Sequence, residues 1–526
     1  MKDEIRPAYK YDRCSSRGIC SINPATASLQ EVIILYLRRA AFYELKLRES
    51  GCGDTRITNL ILNTISILSS DYEISETNFK MINSAFRTKL PEIIKIYKEK
   101  CKSSDITSDM QEAALLASEN LNINEYIRFG EQEFSRRIKD ISEEVRTYYK
   151  ILFLLVKSVC INLLTAESYN AETQNEILLV LKVLNTLNFP ETNGEELKKL
   201  IAETSGMDCD LAEKISLLQE KYYGKTSARE VSYSTVKGKA VLVVGSNIRE
   251  LEQILDKFNN TGIDVYTHDN MVAAHTFPKF REYKHLKGQY GQGIENCLLD
   301  FSTFPGPIIL TRHSLFNVES LYRGRLYTTD FAFSKGVIRI ENNDFSGVIK
   351  SAAESKGFKT GRKCDSAVIG YEYESVINQI DDSLKNGGIT DVFVIGIKSH
   401  SYNEEYYKEL IEHMPKNVLI ISLACCQSGD NLICLNTDYD NYAMYKITKY
   451  LLKNYQHKIS VFIPFCDRHT LSFIINLSRK KRCGIYLGEQ NNSVINPIVI
   501  NGLKRGFGVT ESSLPKKDLE EILNLK

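Results

Sequence analysis

The sequence predicts a helical domain followed by two doubly wound α/β domains. Apolar residues recur at three- and four-residue steps from about residue 28 to 223, the period changes at the polar stretch Thr226–Lys239, and strands then alternate with helices. At roughly 150 residues per domain, a chain of 526 residues has room for three or four cores. The predicted domains are 1–225, 226–355 and 356–526.

In the first part, Leu29–Arg48 carries Val32, Ile33, Tyr36, Leu37, Ala40, Ala41 and Leu45 on one broad stripe. Similar stripes run through Thr55–Leu68, Asn78–Cys101, Ser108–Ala117, Ile123–Ile138, Val145–Leu164, Glu172–Leu184, Glu195–Thr204 and Cys209–Tyr222. Short connections with cap residues predict antiparallel bundling. After residue 239, Ala240–Val244 is a continuous apolar run, which implies a strand covered on both faces. Helix Ile248–Phe258 and strand Ile263–Thr267 follow, with further strands at Pro307–Thr311, Leu326–Thr328 and Val337–Ile340. A second series alternates strand Asp391–Ile397, helix Glu404–His413, strand Asn417–Leu423, helix Tyr442–Leu452, strand Lys458–Pro464, helix Asp467–Leu477 and strand Gly484–Leu487.

With 67 Lys+Arg against 66 Asp+Glu the formal net charge is +1, which argues against a dedicated nucleic-acid or anionic-membrane binder. The basic run Arg479-Lys480-Lys481-Arg482 suits a helix C-terminus, and the 29 tyrosines are too dispersed for a stacking platform. The charged N-terminal segment has no apolar core of a secretory signal, and the apolar stretch Ile151–Leu164 is too short to span a bilayer. The expectation is a cytoplasmic protein. Thirteen cysteines, an odd number with no CxxC, fit neither a disulfide framework nor a zinc ribbon, and most read as small buried hydrophobes.

Ligands of open α/β sheets bind beyond the carboxyl ends of the strands. That directs attention to Gly245–Asn247, His268–Asn270, Thr311–Ser314, Gly396–His400, Ala424–Gln427 and Phe465–His469. Gly245-Ser246-Asn247 has a single glycine, so the dinucleotide fingerprint is missing, and no P-loop, HExxH or GxSxG occurs.

At these loops Val241–Asn247 with Arg249-Glu250-Leu251-Glu252, TGIDVYTH (Thr261–His268), HTFPKFREYKHLKGQYG (His275–Gly291), FPGPIILT (Phe304–Thr311) and LYTTD (Leu326–Asp330) resemble the hybrid-cluster protein family, also called prismane proteins or hydroxylamine reductases. The likeness runs from Cys14 to about Ile522 and implies that family's fold, a helical domain and two Rossmann-like α/β domains. It also implies two iron–sulfur sites. For the cubane cluster, held in the family by C-x₂-C-x₈-C-x₅-C, Cys14 and Cys20 match the last two cysteines, but the first two fall on Lys2 and Ile5.

For the hybrid iron–sulfur–oxygen cluster the resemblance implies one His, two Glu and four Cys, with a Lys nearby. The His falls on Ser246, the first Glu on Asn270, and the Cys after the PIILT strand on Ser314, next to His313. The Cys after DVFVIGIKS falls on Lys398, whereas LAC keeps Cys425. The next Cys falls on Asp438, with Cys434 a local substitute, the second Glu falls on Cys466, and the Lys on Arg468. Serine and amide side chains are neutral near pH 7 and bind iron weakly. A cation about 4 Å from the metal is repelled by about 4 kcal/mol per unit charge at an effective dielectric of ~20.

The expectation is therefore a diverged member without cofactor or reductase activity, a pseudoenzyme that binds a protein partner or belongs to an assembly. The alternatives are a hydroxylamine or nitric oxide reductase with a reduced ligand set, or a single zinc or iron ion held by Cys425, Cys434 and Cys466 with His313 and His469. His268 and His275 align with no ligand of the family and are expected to be hydrogen-bonded structural residues.

Overall fold

The helical periodicity of the first part of the chain is realised in the computed structural model, which describes residues 24–69, 75–101, 121–139, 141–188, 193–291, 296–312, 314, 321–331, 336–386, 388–397, 404–424, 431–437, 439–488 and 497–523. Helices α1 (Pro24–Glu49), α2 (Thr55–Ser69), α3 (Glu76–Cys101), α4 (Ile123–Ile138), α5 (Glu143–Ser168), α6 (Gln174–Thr186) and α7 (Gly194–Tyr223) precede the first strand among the described residues. The predicted helix Ser108–Ala117 lies outside them. The backbone packs into two compact units, Met1–Leu211 with Phe331–Ser334 and Asn491–Gly502, and Ala212–Asp330 with Lys335–Gln490 and Leu503–Lys526.

In the first unit α1 is the central element and packs on α2, α3, α4 and α6. It is buried nearly all round, so polar residues on it sit inside the bundle and need partners. Arg38 donates to Leu187 O (2.9 Å) and forms a buried ion pair with Glu133 of α4. Burial pulls its guanidinium down to about 10, although the Glu133 carboxylate works the other way. Arg137 pairs with Glu31 at 3.0 Å, and Glu44 accepts from Arg48 Nε (2.7 Å), the Asp54 amide and Thr58.

Two helices differ from expectation. The stripes Glu195–Thr204 and Cys209–Tyr222 form one helix, α7, that runs through Gly206. An interior glycine costs about 1 kcal/mol relative to alanine. Buried Asp208, which accepts from Ser158 Oγ (2.5 Å) and Asn162 Nδ2 (2.8 Å), ties this stretch to α5. Helix α5 itself has 26 residues, longer than the apolar stretch read from sequence, and is long and apolar enough to cross a membrane. Its Ile151, Leu152, Leu155, Val156 and Val159 are buried, and it packs on α2 and α6.

The second unit holds two six-stranded, wholly parallel sheets. The first orders β4 (Leu286–Gln289), β3 (Ile263–His268), β2 (Lys239–Val244), β5 (Ile308–Leu310), β6 (Leu326–Thr328) and β7 (Ile338–Arg339). The second orders β11 (Leu432–Cys434), β10 (Val418–Ser422), β9 (Asp391–Ile395), β12 (Lys458–Ile463), β13 (Cys483–Leu487) and β14 (Thr510–Glu511). An antiparallel ribbon of β1 (Arg229–Ser232) and β8 (Ser366–Ile369) stands beside them. The central strands β2 and β9 are buried almost throughout, as their unbroken apolar runs require. Leu242, Val244, Tyr266 and Phe304 fill one core, and Phe393, Ile395, Tyr407 and Phe462 the other. In each sheet the strand order reverses beside the first strand, between β2 and β5 and between β9 and β12, and those two places are the switch points where crevices open.

After β3 the chain makes two 3-10 turns, Asp269–Thr276 and Pro278–Glu282. Buried His275 places Nε2 2.9 Å from Thr267 Oγ1, which also donates to Gln289 Oε1 (2.6 Å), and both histidines expected to be structural make such bonds. Burial, assisted by the Arg229 charge, pushes His275 down to about 4.

Two consequences are measurable. Glu133→Ala strands the buried Arg38 and should lower stability by about 3–5 kcal/mol in urea unfolding, while the double substitution Arg38→Met with Glu133→Leu recovers most of the loss. His275 stays neutral in the folded chain while the unfolded chain takes up a proton below its ordinary pKa near 6.5, so stability falls as pH drops from about 6.5 to about 4. The contribution is at most ~1.4 kcal/mol per pH unit and about 3 kcal/mol in all, and His275→Gln should flatten that part of the stability profile.

Candidate functional site

At the β2–β5 switch point the chain leaves β2 through Gly245, whose φ is +120°. A Cβ there would lie 1.7 Å from Ser314 Oγ and 2.4 Å from Thr311 Oγ1, so only glycine leaves room for these two hydroxyls. Ser314 is buried, with its Oγ 3.0 Å from Thr311 Oγ1, and Thr311 donates to Val244 O at 2.9 Å. Ser246 is exposed, and Asn247 caps helix α8 (Ile248–Phe258) by accepting from the Glu250 amide. Glu250, the third residue of α8, is buried and accepts from the Arg312 amide (3.0 Å) and Thr329 Oγ1 (2.6 Å) while pairing with Arg312 Nε at 2.9 Å. Burial raises its carboxyl above the ordinary range, and Arg312 opposes the rise.

One strand over, β3 pairs His268 with Val244 and delivers His268, Asp269 and Asn270 to the same edge. His268 is fully buried, its Nε2 3.0 Å from Asp300 Oδ2 and its Nδ1 without a hydrogen-bond partner among the described residues. Asp269 has a left-handed backbone (φ 59°), and burial pushes its carboxyl up to about 6 against the pull of His268. Asn270 opens the 3-10 turn half-buried. The structure thus brings Ser246, Asn270 and Ser314 to the carboxyl edge of one sheet.

The β9–β12 switch point is organised by Asn441, the first residue of helix α9 (Asn441–Asn454). Its Oδ1 accepts from the Ile397 amide (3.1 Å) after β9, and its Nδ2 donates to Thr470 Oγ1 (2.8 Å) of helix α10 (Arg468–Ser478). Asp440 caps α9, and Asp467 caps α10 through the Thr470 amide at 2.7 Å. Burial, reinforced by Asp467 and opposed by His469, pushes Asp440 up to about 6. Cys466 is buried at the end of β12, where its Sγ donates to Asp467 O at 3.4 Å. Burial and the Asp467 charge hold that thiol well above its usual range. Arg468 begins α10 half-buried. Cys434 ends β11, three strand spacings from β12, about 14 Å across the sheet.

Lys398, Cys425, Asp438, His313, Cys14 and Cys20 lie outside the described residues. Among the described residues no group of three His, Cys, Asp or Glu side chains is placed to hold a metal ion. Of the positions that the resemblance implies as cluster ligands, those described hold Ser246, Asn270, Ser314 and Cys466, and the neutral hydroxyl and amide groups among them do not fit an iron–sulfur–oxygen cluster, Ser314 being hydrogen-bonded to a neighbouring hydroxyl. Asp467 lies in the loop Phe465–His469 to which the sequence directs attention, whereas Asn441 and Asp440 do not stand out from sequence, where the helix-start pattern of Asp before an apolar stripe is the available signal.

Known proteins cover nearly the whole chain. The model of the Prismane/CO dehydrogenase family matches residues 10–435. The hydroxylamine reductase of Thermodesulfovibrio yellowstonii is 24% identical over 97% of this chain and 98% of its own length. That of Acidiphilium cryptum is 28% identical over 96% and 95%. A solved structure of alpha subunits of acetyl-CoA synthase/carbon monoxide dehydrogenase is similar at 12% identity and a TM-score of 0.45, covering 97% of this chain and 84% of that one. Since the family model spans four-fifths of the sequence, the chain belongs to the Prismane/CO dehydrogenase family.

Proposed function

We propose that this chain is a member of the family that has lost its iron–sulfur clusters and reductase activity and acts in the cytoplasm as a non-catalytic binding or structural component of a protein assembly. The observation that carries the reading is Ser314. At a position where the resemblance implies a cysteine ligand, its hydroxyl is bonded to Thr311 and seated against Gly245. A serine hydroxyl stays protonated near pH 7 and does not replace a thiolate on iron. Cys466 supports the same reading, because a buried cysteine stands where the resemblance implies a glutamate. The balanced charge speaks for a protein partner rather than a nucleic acid.

A second reading keeps the redox chemistry. Relatives named hydroxylamine reductase align over nearly the full length, which favours an iron–sulfur oxidoreductase with a reduced ligand set centred on Cys425. The two are separated by anaerobic purification of the full chain, iron and sulfide analysis, visible absorbance, and turnover of hydroxylamine with a strong reductant. The proposed function expects no stoichiometric iron and no turnover. Iron–sulfur absorbance with turnover that Cys425→Ala abolishes would establish the second reading instead.

A substitution sharpens the test. Ser314→Cys restores one thiol but leaves Ser246, Asn270 and Lys398 unchanged, so iron content should stay at the wild-type level. Arg468→Ala and Lys398→Ala should change the unfolding midpoint and leave iron content unaltered, as measured by thermal unfolding and metal analysis of the same preparations.

A further inference from the structure

Cations gather on the antiparallel ribbon beside the two sheets. From Lys356 to Lys363 four of eight residues are basic, Lys356, Lys359, Arg362 and Lys363, and none is acidic. All four are exposed, as is Lys237 on the opposite strand. None of the five makes an ion pair among the described residues. In a chain whose formal net charge is +1, this is a local excess of one sign.

The ribbon is zipped along its length, so these charges stand on an ordered backbone. Strands β1 and β8 pair from Arg229↔Ile369 to Ser232↔Ser366. Ser234 Oγ then donates to Cys364 O (3.0 Å) and accepts from the Cys364 amide (3.0 Å). Further on, Thr235 and Arg362 exchange amide bonds of 2.9 and 3.1 Å, and Gly238 and Phe358 exchange bonds of 3.1 and 2.8 Å. The antiparallel register therefore sets Lys237 opposite Lys359. Like charges facing each other across a ribbon are unfavourable, and an arriving anion relieves them. Asp264, whose Oδ2 lies 3.8 Å from where a Gly238 Cβ would stand, is already paired with Lys287 at 3.4 Å.

Two exposed apolar side chains share the ribbon with the cations, Val236 (45% exposed) and Val368 (53%). The ribbon's aromatic residues, Tyr233 and Phe358, are half-buried, so it presents no open ring on which a base could stack. A polypeptide that carries both carboxylates and apolar side chains satisfies both kinds of group. We propose that the ribbon docks an acidic segment of a protein partner, an extended stretch in which Asp or Glu alternates with apolar residues. The proposal rests on reading the chain as a component of a protein assembly and names the chemistry of the partner. Residues 229–238, at about 3.4 Å each, make a platform about 34 Å long, which a segment of about ten extended residues covers. Because this platform is ordered before contact, the ordering cost falls on the partner.

The test is fluorescence-anisotropy titration of the full chain with a labelled peptide of about twelve residues alternating Glu with Val and Ala, against the same peptide with Gln for Glu, and against single-stranded and duplex DNA of similar length. The Glu peptide should bind at least about tenfold more tightly than the Gln peptide and than either DNA, and should weaken as salt rises from about 50 to about 300 mM. Lys359→Glu with Arg362→Glu should weaken it by at least about tenfold, whereas Lys480→Gln with Lys481→Gln, in the basic run at the end of α10, should leave it unchanged. All four positions are exposed, so the unfolding midpoint of each variant should stay at the wild-type value. The proposal is overturned if the Glu peptide does not bind at millimolar concentration, if either DNA binds more tightly, or if the Lys480/Lys481 variant loses as much affinity as the ribbon variant. Iron is measured on the same preparation, so absence of docking in iron-free protein counts against the ribbon alone, and stoichiometric iron in protein that docks the peptide counts against the proposed function alone.

Discussion

A parallel sheet must be covered on both faces, and this constraint determines where the second unit can do anything at all. Strands β2 and β9 are almost wholly buried, so their side chains are committed to packing. Helices leave one side of each sheet and then the other, and the reversal opens a crevice at the carboxyl ends of β2 and β5 and again at those of β9 and β12. The loop residues there are held by hydrogen bonds.

Those bonds are local and specific. Asn441 joins the exit of β9 to the first turn of α10, while Asp440 and Asp467 cap the helices that start beside it. In the first sheet Glu250 gathers the Arg312 amide, the Arg312 side chain and Thr329 onto the first turn of α8. Glu252, also buried on α8, accepts from Tyr223 Oη at 3.1 Å and pairs with Arg249 and Lys279. Both carboxylates act as clamps between an element and the loops around it. Truncating either would leave buried donors without acceptors.

Much of the architecture was legible because one period dominates each segment. Ile248–Phe258 and Leu326–Thr328 emerge with the predicted bounds, since a single apolar pattern sits between clear turn residues. The helix α7 was read as two, because Gly206 weakens the local signal and its compensation comes from Ser158 and Asn162, about 45 to 50 residues away. Strand β4, Leu286–Gln289, was missed, as a four-residue edge segment with Lys and Gly has little apolar pattern. At the site, the strand-end location of Ser246, Asn270 and Ser314 followed from the alternation of strands and helices. Asn441 did not stand out, because its role depends on two loops meeting and no periodicity encodes that.

Gly245 and Ser314 are far apart in the chain but share one small volume, and this links their mutational histories. No side chain can be added at 245 while a hydroxyl occupies the adjoining space, and no bulkier group can settle at 314 unless 245 stays bare. Substitutions at the two positions are therefore epistatic: the acceptable residue at one is a function of the residue at the other, and the order in which changes accumulate is constrained. Thr311, bonded to both Ser314 and the backbone of β2, is the third member of that coupled set.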